Sequence, residues 1–131
     1  MRIMRWGWIV LAGVLAECLS IAFLVGLRYW HGGSARAELS ALGNATFEVE
    51  LFVVTALFGW WAARKAISWP LMDGALVGVV TIVIYEILAY GQPVPHNAEY
   101  FFLHGMKLVA GALGGGIAGW QASARTRAPV S

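Results

Sequence analysis

The sequence is poor in charged residues and in cysteine. Only 12% of its 131 residues are Asp, Glu, Lys or Arg, whereas 60% are hydrophobic. A water-soluble domain of this length does not carry four long apolar stretches with so few charges, so that class of protein is excluded. The single cysteine, Cys18, can form no internal disulfide, which excludes a disulfide scaffold.

The sequence also lacks the motifs of phosphate-binding and catalytic sites. The glycine-rich stretch of residues 111–119 is not followed by the Lys-Ser or Lys-Thr that ends a phosphate-binding loop. No Ser-His-Asp or Cys-His set is evident. The pI of about 9.0 does not indicate nucleic-acid binding, because the basic residues lie at the ends of the apolar runs. We therefore predict no enzymatic activity, no cofactor or metal, and no nucleic-acid partner.

Four apolar runs are present, and each is long enough to cross a bilayer. A helix of about 20 residues spans the hydrocarbon core, and only helices or closed barrels satisfy the backbone there. We predict an all-α integral membrane protein, a four-transmembrane-helix bundle that forms a single domain over residues 1–131. The predicted spans are about 6–29, 46–63, 71–90 and 100–120.

The basic residues are divided unequally between the two sides of the predicted spans. Six flank one side and two flank the other: Arg2, Arg5, Arg64, Lys65, Arg125 and Arg127 against Arg28 and Arg36. Cytoplasmic loops carry the excess of basic residues. We predict a multi-pass protein of the inner (plasma) membrane, with both termini cytoplasmic and the bilayer as its first partner. A cleaved signal peptide is disfavoured, because the first run is about twice the length of a signal-peptide core.

The two predicted outer loops differ in character. Residues 31–45 form the longer loop, in which Ser34–Leu42 is predicted to form a short interfacial helix. Residues 91–98 form the shorter loop, and Pro93 and Pro95 make it stiff and extended.

The two halves of the chain show a weak repeat. Trp8 and Gly13 recur 61 residues later as Trp69 and Gly74, and the pair Gly59-Trp60 recurs 60 residues later at 119–120. The pattern favours two helical hairpins in the same orientation, related by an axis along the membrane normal. Chance matches in apolar sequence are the alternative.

Small residues at a spacing of four predict helix-packing faces. In lipid the hydrophobic effect drives helix association only weakly, so close backbone approach at small residues supplies much of the packing. The predicted packing residues in spans 3 and 4 are Gly74, Gly78, Gly111, Gly115 and Gly119.

Glu17 lies at the middle of the first apolar run, where a carboxylate is costly unless it is neutral, paired or hydrated. Lys107 lies at a comparable depth in the fourth run, by a rise of about 1.5 Å per residue. We predict that Lys107 forms an ion pair with Glu17 or Glu86, because a buried lysine needs a partner to stay charged.

A wider buried polar network, in the midplane and outer half of the bundle, is predicted around these residues. Its candidate members are Glu17, Glu48, Glu86, His104 and Lys107. His104 and Lys107 share a helix face with Gly111 and are predicted to point inward, as is Glu48. Glu50 faces nearly opposite to Glu48, which predicts an interfacial position or an oligomer contact.

Asp73 and His104 also have purely structural interpretations, as a carboxylate at a helix N-terminus and as a hydrogen-bond donor in the bundle interior. Asp73 follows Pro70 in the first turn of the third span, where a carboxylate complements the helix dipole. His104 lacks a second histidine at its depth for haem, and its spacing from Glu48, Glu86 and Glu99 matches no recognised metal signature.

In outline the chain resembles the small multidrug resistance transporters, which have four spans and a membrane glutamate in the first helix. Those proteins use that glutamate to exchange protons for cationic drugs, which would give Glu17 that role here. The resemblance covers the layout and Glu17 alone. The long loop after span 1, the lysine at 107 and the further acids depart from that pattern.

Two functions remain open from the sequence. The first is a non-enzymatic assembly or accessory subunit, whose partner is another membrane protein or a second copy. The second is a small proton- or cation-coupled transporter that acts as a homo-oligomer, with Glu17 as the titrating group. A transporter predicts a cavity that reaches Glu17, whereas an accessory subunit predicts a dry, salt-bridged Glu17.

Overall fold

The computed structural model describes residues 2–35, 37–65 and 69–128, with side chains from Arg5 onward. Within these residues the chain forms four α-helices and no strand. They are α1 (Arg2–Gly32), α2 (Ala41–Lys65), α3 (Pro70–Ala89) and α4 (Ala98–Arg127). All four are long and apolar enough to cross a membrane, and the all-helical prediction is confirmed.

Local sequence explains where the helices begin and end. Pro70 starts α3, because its fixed φ suits the first turn and its missing N–H is not needed there. Asn97 caps α4 by accepting a hydrogen bond from the Tyr100 N–H at 3.0 Å. Gly33 and Gly91 follow α1 and α3 with φ of 71° and 78°, the left-handed conformation that glycine adopts without strain.

The short helix predicted over Ser34–Leu42 is wrong for the described residues, since residues 37–40 are not helical. The Ser40 hydroxyl accepts a hydrogen bond from the Gly43 N–H at 3.2 Å. Ser40 thus caps the N-terminus of α2, which fixes the start of that helix at Ala41. Arg36, one of the two outer basic residues, lies outside the described residues.

The four helices pack as a bundle in which α2 and α3 form the central pair. Both α1 and α4 pack against α2 and α3, whereas α1 and α4 do not approach each other closely along the described backbone. The helices alternate in direction, so α1 begins and α4 ends at one end of the bundle. We call this the basic end, because Arg5, Arg64, Lys65 and Arg125 lie there, and the other the opposite end.

Glycines bring the backbones of α3 and α4 into direct contact. A Cβ at Gly74 would overlap the backbone of Gly111 and Gly115, and a Cβ at Gly78 would overlap the Lys107 carbonyl. A Cβ at Gly119 would meet the Pro70 ring at 2.8 Å. The structure thus places the five predicted packing glycines at helix contacts.

The basic half of the bundle is filled by a small apolar core. Ile9, Ala12, Ala62 and Val77 are each 0% exposed. The Trp61 ring packs edge-on against that of Trp8, at 5.2 Å between centroids. With the glycine contacts, this core closes the bundle between the basic end and Glu17.

Candidate functional site

Glu17 and Lys107 form an ion pair inside the bundle, as predicted. The Lys107 Nζ donates a hydrogen bond to the Glu17 Oε2 at 2.8 Å, and the side chains are 4% and 3% exposed. The ammonium also lies 5.0 Å from the centroid of the Tyr85 ring, within range of a cation–π interaction. The pair therefore joins α1 to α4 across the central helices, where their backbones do not meet.

The pair carries no net charge, but both side chains have lost nearly all of their contact with bulk water on folding. Breaking a buried pair by removing one partner is strongly destabilising, because the other charge stays buried and unpaired. The pair holds Glu17 of α1 and Lys107 of α4 at matching depth in the bundle.

Glu86 belongs to a different cluster from the ion pair. Its carboxylate accepts a hydrogen bond from the Tyr100 hydroxyl and lies 3.2 Å from the His104 Nε2, without hydrogen-bond alignment to that nitrogen. The Glu86 side chain is 46% exposed. The prediction that Glu86 is buried is wrong, because it sits in the last turn of α3, at the open end of the bundle.

The two acids of α2 both face protein. Glu48 is half-buried, and no hydrogen bond or ion pair joins it to another described residue. Glu50 accepts a hydrogen bond from the Ser20 hydroxyl at 3.4 Å, so the outward position predicted for it is wrong. The reason is that Glu50 lies toward α1, whereas the outward face of α2 carries Val49 and Val53, which are exposed.

A cavity of about 390 Å³ enters the bundle from the opposite end and reaches Glu17 and Lys107. We call it the vestibule. Its walls are largely apolar, with Ile21, Leu24, Phe47, Leu51 and Leu103 among them. Its polar lining residues are Glu17, Ser20, Arg28, Asn44, Glu48, Tyr85, Asn97, Glu99, Tyr100, His104 and Lys107. The ion pair forms its floor, and the apolar core and glycine contacts close the bundle below.

A second ion pair, which we did not predict, lies at the basic end. The Arg5 guanidinium donates two hydrogen bonds to the Asp73 Oδ1, one of them from Nε at 2.7 Å. Asp73 is 0% exposed, and Arg5 is partly exposed. Asp73 lies in the first turn of α3, as the dipole argument required. A weak signal for the pairing exists, since both residues lie near the start of helices that run in the same direction.

No group of three or more His, Cys, Asp or Glu side chains is arranged to hold a metal ion in the part of the chain that the structure describes. Comparisons with protein-family models, with curated proteins and with solved structures found no match. The vestibule and the ion pair at its floor therefore carry the functional argument.

Proposed function

We propose that this chain is a multi-pass protein of the inner membrane, without enzymatic activity, that acts as an assembly or accessory subunit. The four apolar helices support a membrane location. So do the large apolar side chains on the outer faces of the bundle, among them Leu15, Val83 and Leu113, which are 42%, 49% and 50% exposed. Such a surface is suited to lipid or to another membrane protein.

The enclosed ion pair is the observation that carries the accessory function. Glu17 is 3% exposed and already has a charged partner at 2.8 Å. A carboxylate that takes up and releases protons in each transport cycle has to lose such a partner every time. A fixed tie between α1 and α4 instead gives a rigid bundle, which is suited to binding another membrane protein or a second copy.

The vestibule favours the second candidate function, a small proton- or cation-coupled transporter acting as a homo-oligomer. It reaches Glu17 from the opposite end of the bundle, which the transporter hypothesis requires. A cavity that reaches Glu17 was expected of a transporter, and a salt-bridged Glu17 was expected of an accessory subunit. Both features therefore occur in the same protein. Only a measurement of flux separates them.

We expect the purified protein, reconstituted in liposomes under an imposed pH gradient, to give no proton flux above that of empty liposomes. The protein tagged in its native membrane and extracted in mild detergent is expected to purify in a fixed ratio with another membrane protein, or as a homo-oligomer. Proton flux that is present in the wild type and in Glu38→Gln, an exposed loop control, would contradict this proposal if Glu17→Gln abolished it without loss of stability.

Both termini are proposed to be cytoplasmic. The beginning of α1 and the end of α4 lie together at the basic end, and basic residues favour the cytoplasmic side. A fluorescent protein that folds only in the cytoplasm is expected to be active when fused after Ser131. A phosphatase that folds only outside the cytoplasm is expected to be inactive at the same point, and the reverse pattern would refute this orientation.

The hairpin repeat remains a hypothesis within this proposal. A two-fold axis along the membrane normal would exchange α1 with α3 and α2 with α4. The contact of α2 with α3 would then require an equal contact of α4 with α1, which the described backbones do not make. Any duplication has therefore diverged in packing as well as at Glu17, whose counterpart is Gly78.

A further inference from the structure

The vestibule contains two half-buried charged side chains, of opposite sign, that no described residue neutralises. Glu48 forms no hydrogen bond or ion pair with another described residue. Arg28 donates from Nη1 to the Ala35 carbonyl at 3.3 Å, and its Nε is buried without a hydrogen-bond partner among the described atoms. Leaving a buried polar group such as this Nε unpartnered costs about 1–3 kcal/mol.

The two charges lie at different depths on different helices. Arg28 is one turn before Gly32 at the end of α1, or about 6 Å along the axis, whereas Glu48 is seven residues beyond Ala41, or about 10 Å. No ion pair joins them to each other. Both groups line the same cavity, so a single small molecule bound there can lie against both.

The other charged residues of the vestibule favour neither a purely cationic nor a purely anionic ligand. Glu17 and Lys107 neutralise each other at the floor. Glu99 is exposed at the mouth, where water solvates it, and His104 lies beside Glu86. The cavity volume of about 390 Å³ lies in the range of small-molecule sites, and its walls are mostly apolar.

We propose that the vestibule binds a small zwitterion, with its ammonium group at Glu48 and its carboxylate or phosphate group at Arg28. The aliphatic part between the two charges then lies against the apolar wall, which includes Leu24 and Phe47. This inference goes beyond the accessory function and holds whether or not the molecule is transported. The same chemistry is offered by a free amino acid and by the headgroup of phosphatidylethanolamine.

The first experiment tests free solutes, with protein purified in a maltoside detergent. Isothermal titration is carried out with the ω-amino acids from glycine to 6-aminohexanoate, and with n-alkylamines and n-alkyl carboxylates of equal length. We expect at least one amino acid to bind at least about tenfold more tightly than the amine and the acid of its length. We expect Glu48→Gln and Arg28→Gln each to weaken that binding at least about tenfold, as loss of one charge-assisted hydrogen bond predicts.

The second experiment tests the lipid as source. Thermal melting is compared in nanodiscs of phosphatidylglycerol alone and in nanodiscs that also contain phosphatidylethanolamine. If the headgroup is the ligand, phosphatidylethanolamine raises the melting temperature of the wild type, and this rise is lost in Glu48→Gln and in Arg28→Gln. Either a free zwitterion or the lipid giving its variant-dependent effect supports the proposal.

Two exposed residues outside the vestibule provide matched controls: Glu38→Gln and Arg125→Gln are expected to behave as the wild type. Arg28→Lys and Glu48→Asp keep the charges and are expected to retain most of the binding, even if a neutral variant fails to fold. The proposal is overturned if zwitterions bind no better than singly charged analogues and phosphatidylethanolamine gives no stabilisation. It is also overturned if folded Glu48→Gln and Arg28→Gln respond to zwitterions as the wild type does.

Discussion

Replacing Glu17 with Gln is expected to lower the free energy of unfolding of the bundle by about 3–5 kcal/mol. The substitution removes the carboxylate but leaves the Lys107 ammonium enclosed, since that side chain is only 4% exposed. The Tyr85 ring offers some compensation, because a cation–π interaction contributes about 0.5–2 kcal/mol. The measurement is reversible unfolding in mixed detergent micelles, followed by circular dichroism.

The double variant Glu17→Gln, Lys107→Gln distinguishes loss of pairing from general damage to the core. Neither amide carries a charge, so the double variant leaves no unpaired charge buried in the bundle. The double variant is therefore expected to recover most of the stability that the single variant loses. Equal losses in the single and double variants, or wild-type stability in Glu17→Gln, would show that the ion pair is not a structural tie.

Replacing Gly74 with Ala is expected to destabilise the bundle by about 1–3 kcal/mol. A Cβ at Gly74 would overlap the Gly111 carbonyl oxygen and the backbone of Gly115. Backbone atoms cannot rotate away as a side chain can, so α3 and α4 have to separate along their contact. The same unfolding measurement gives the loss, and cross-linking between cysteines introduced in α3 and α4 would report the separation.

Gly105→Ala is the matched control for this substitution. Gly105 also lies within α4, but a Cβ there meets no atom within 4 Å outside its own stretch of helix. Alanine favours a helix over glycine by up to about 1 kcal/mol, so this variant is expected to be as stable as the wild type or slightly more stable. If Gly74→Ala behaved like Gly105→Ala, the close contact of α3 and α4 would be refuted.

The helices were predictable from the sequence because long apolar runs leave few alternatives. The predicted spans fall close to α1–α4, and the main difference lies at the helix ends. The span predicted over 100–120 belongs to a helix that continues to Arg127, because polar residues extend a helix as readily as apolar ones do. Hydrophobicity marks the apolar part of a helix, whereas capping residues such as Ser40 and Asn97 mark its start.

The candidate site was predictable in depth but only partly in its lateral contacts. The rise per residue put Glu17 and Lys107 at comparable levels, and the two are paired. Depth alone did not separate Glu17 from Glu86 as the partner, since that choice depends on how helices are arranged around the bundle. The same limit explains Glu50, whose bond to Ser20 requires knowing which helix lies beside α2. The vestibule is likewise a property of packing.

The long sequence separation of the ion pair has a consequence for biosynthesis. Glu17 is separated from Lys107 by 90 residues, so the ribosome makes the lysine about 5–20 s after the glutamate, at about 5–20 residues per second. In the proposed membrane protein, α1 therefore has to enter the bilayer before its partner exists. An acidic residue at the centre of a nascent span opposes insertion by about 3 kcal/mol, and each Leu, Ile, Phe or Val there favours insertion by about 0.3–0.6 kcal/mol. The apolar stretch of the first helix has the highest hydropathy of the four, which favours its insertion into the bilayer before Lys107 has been made.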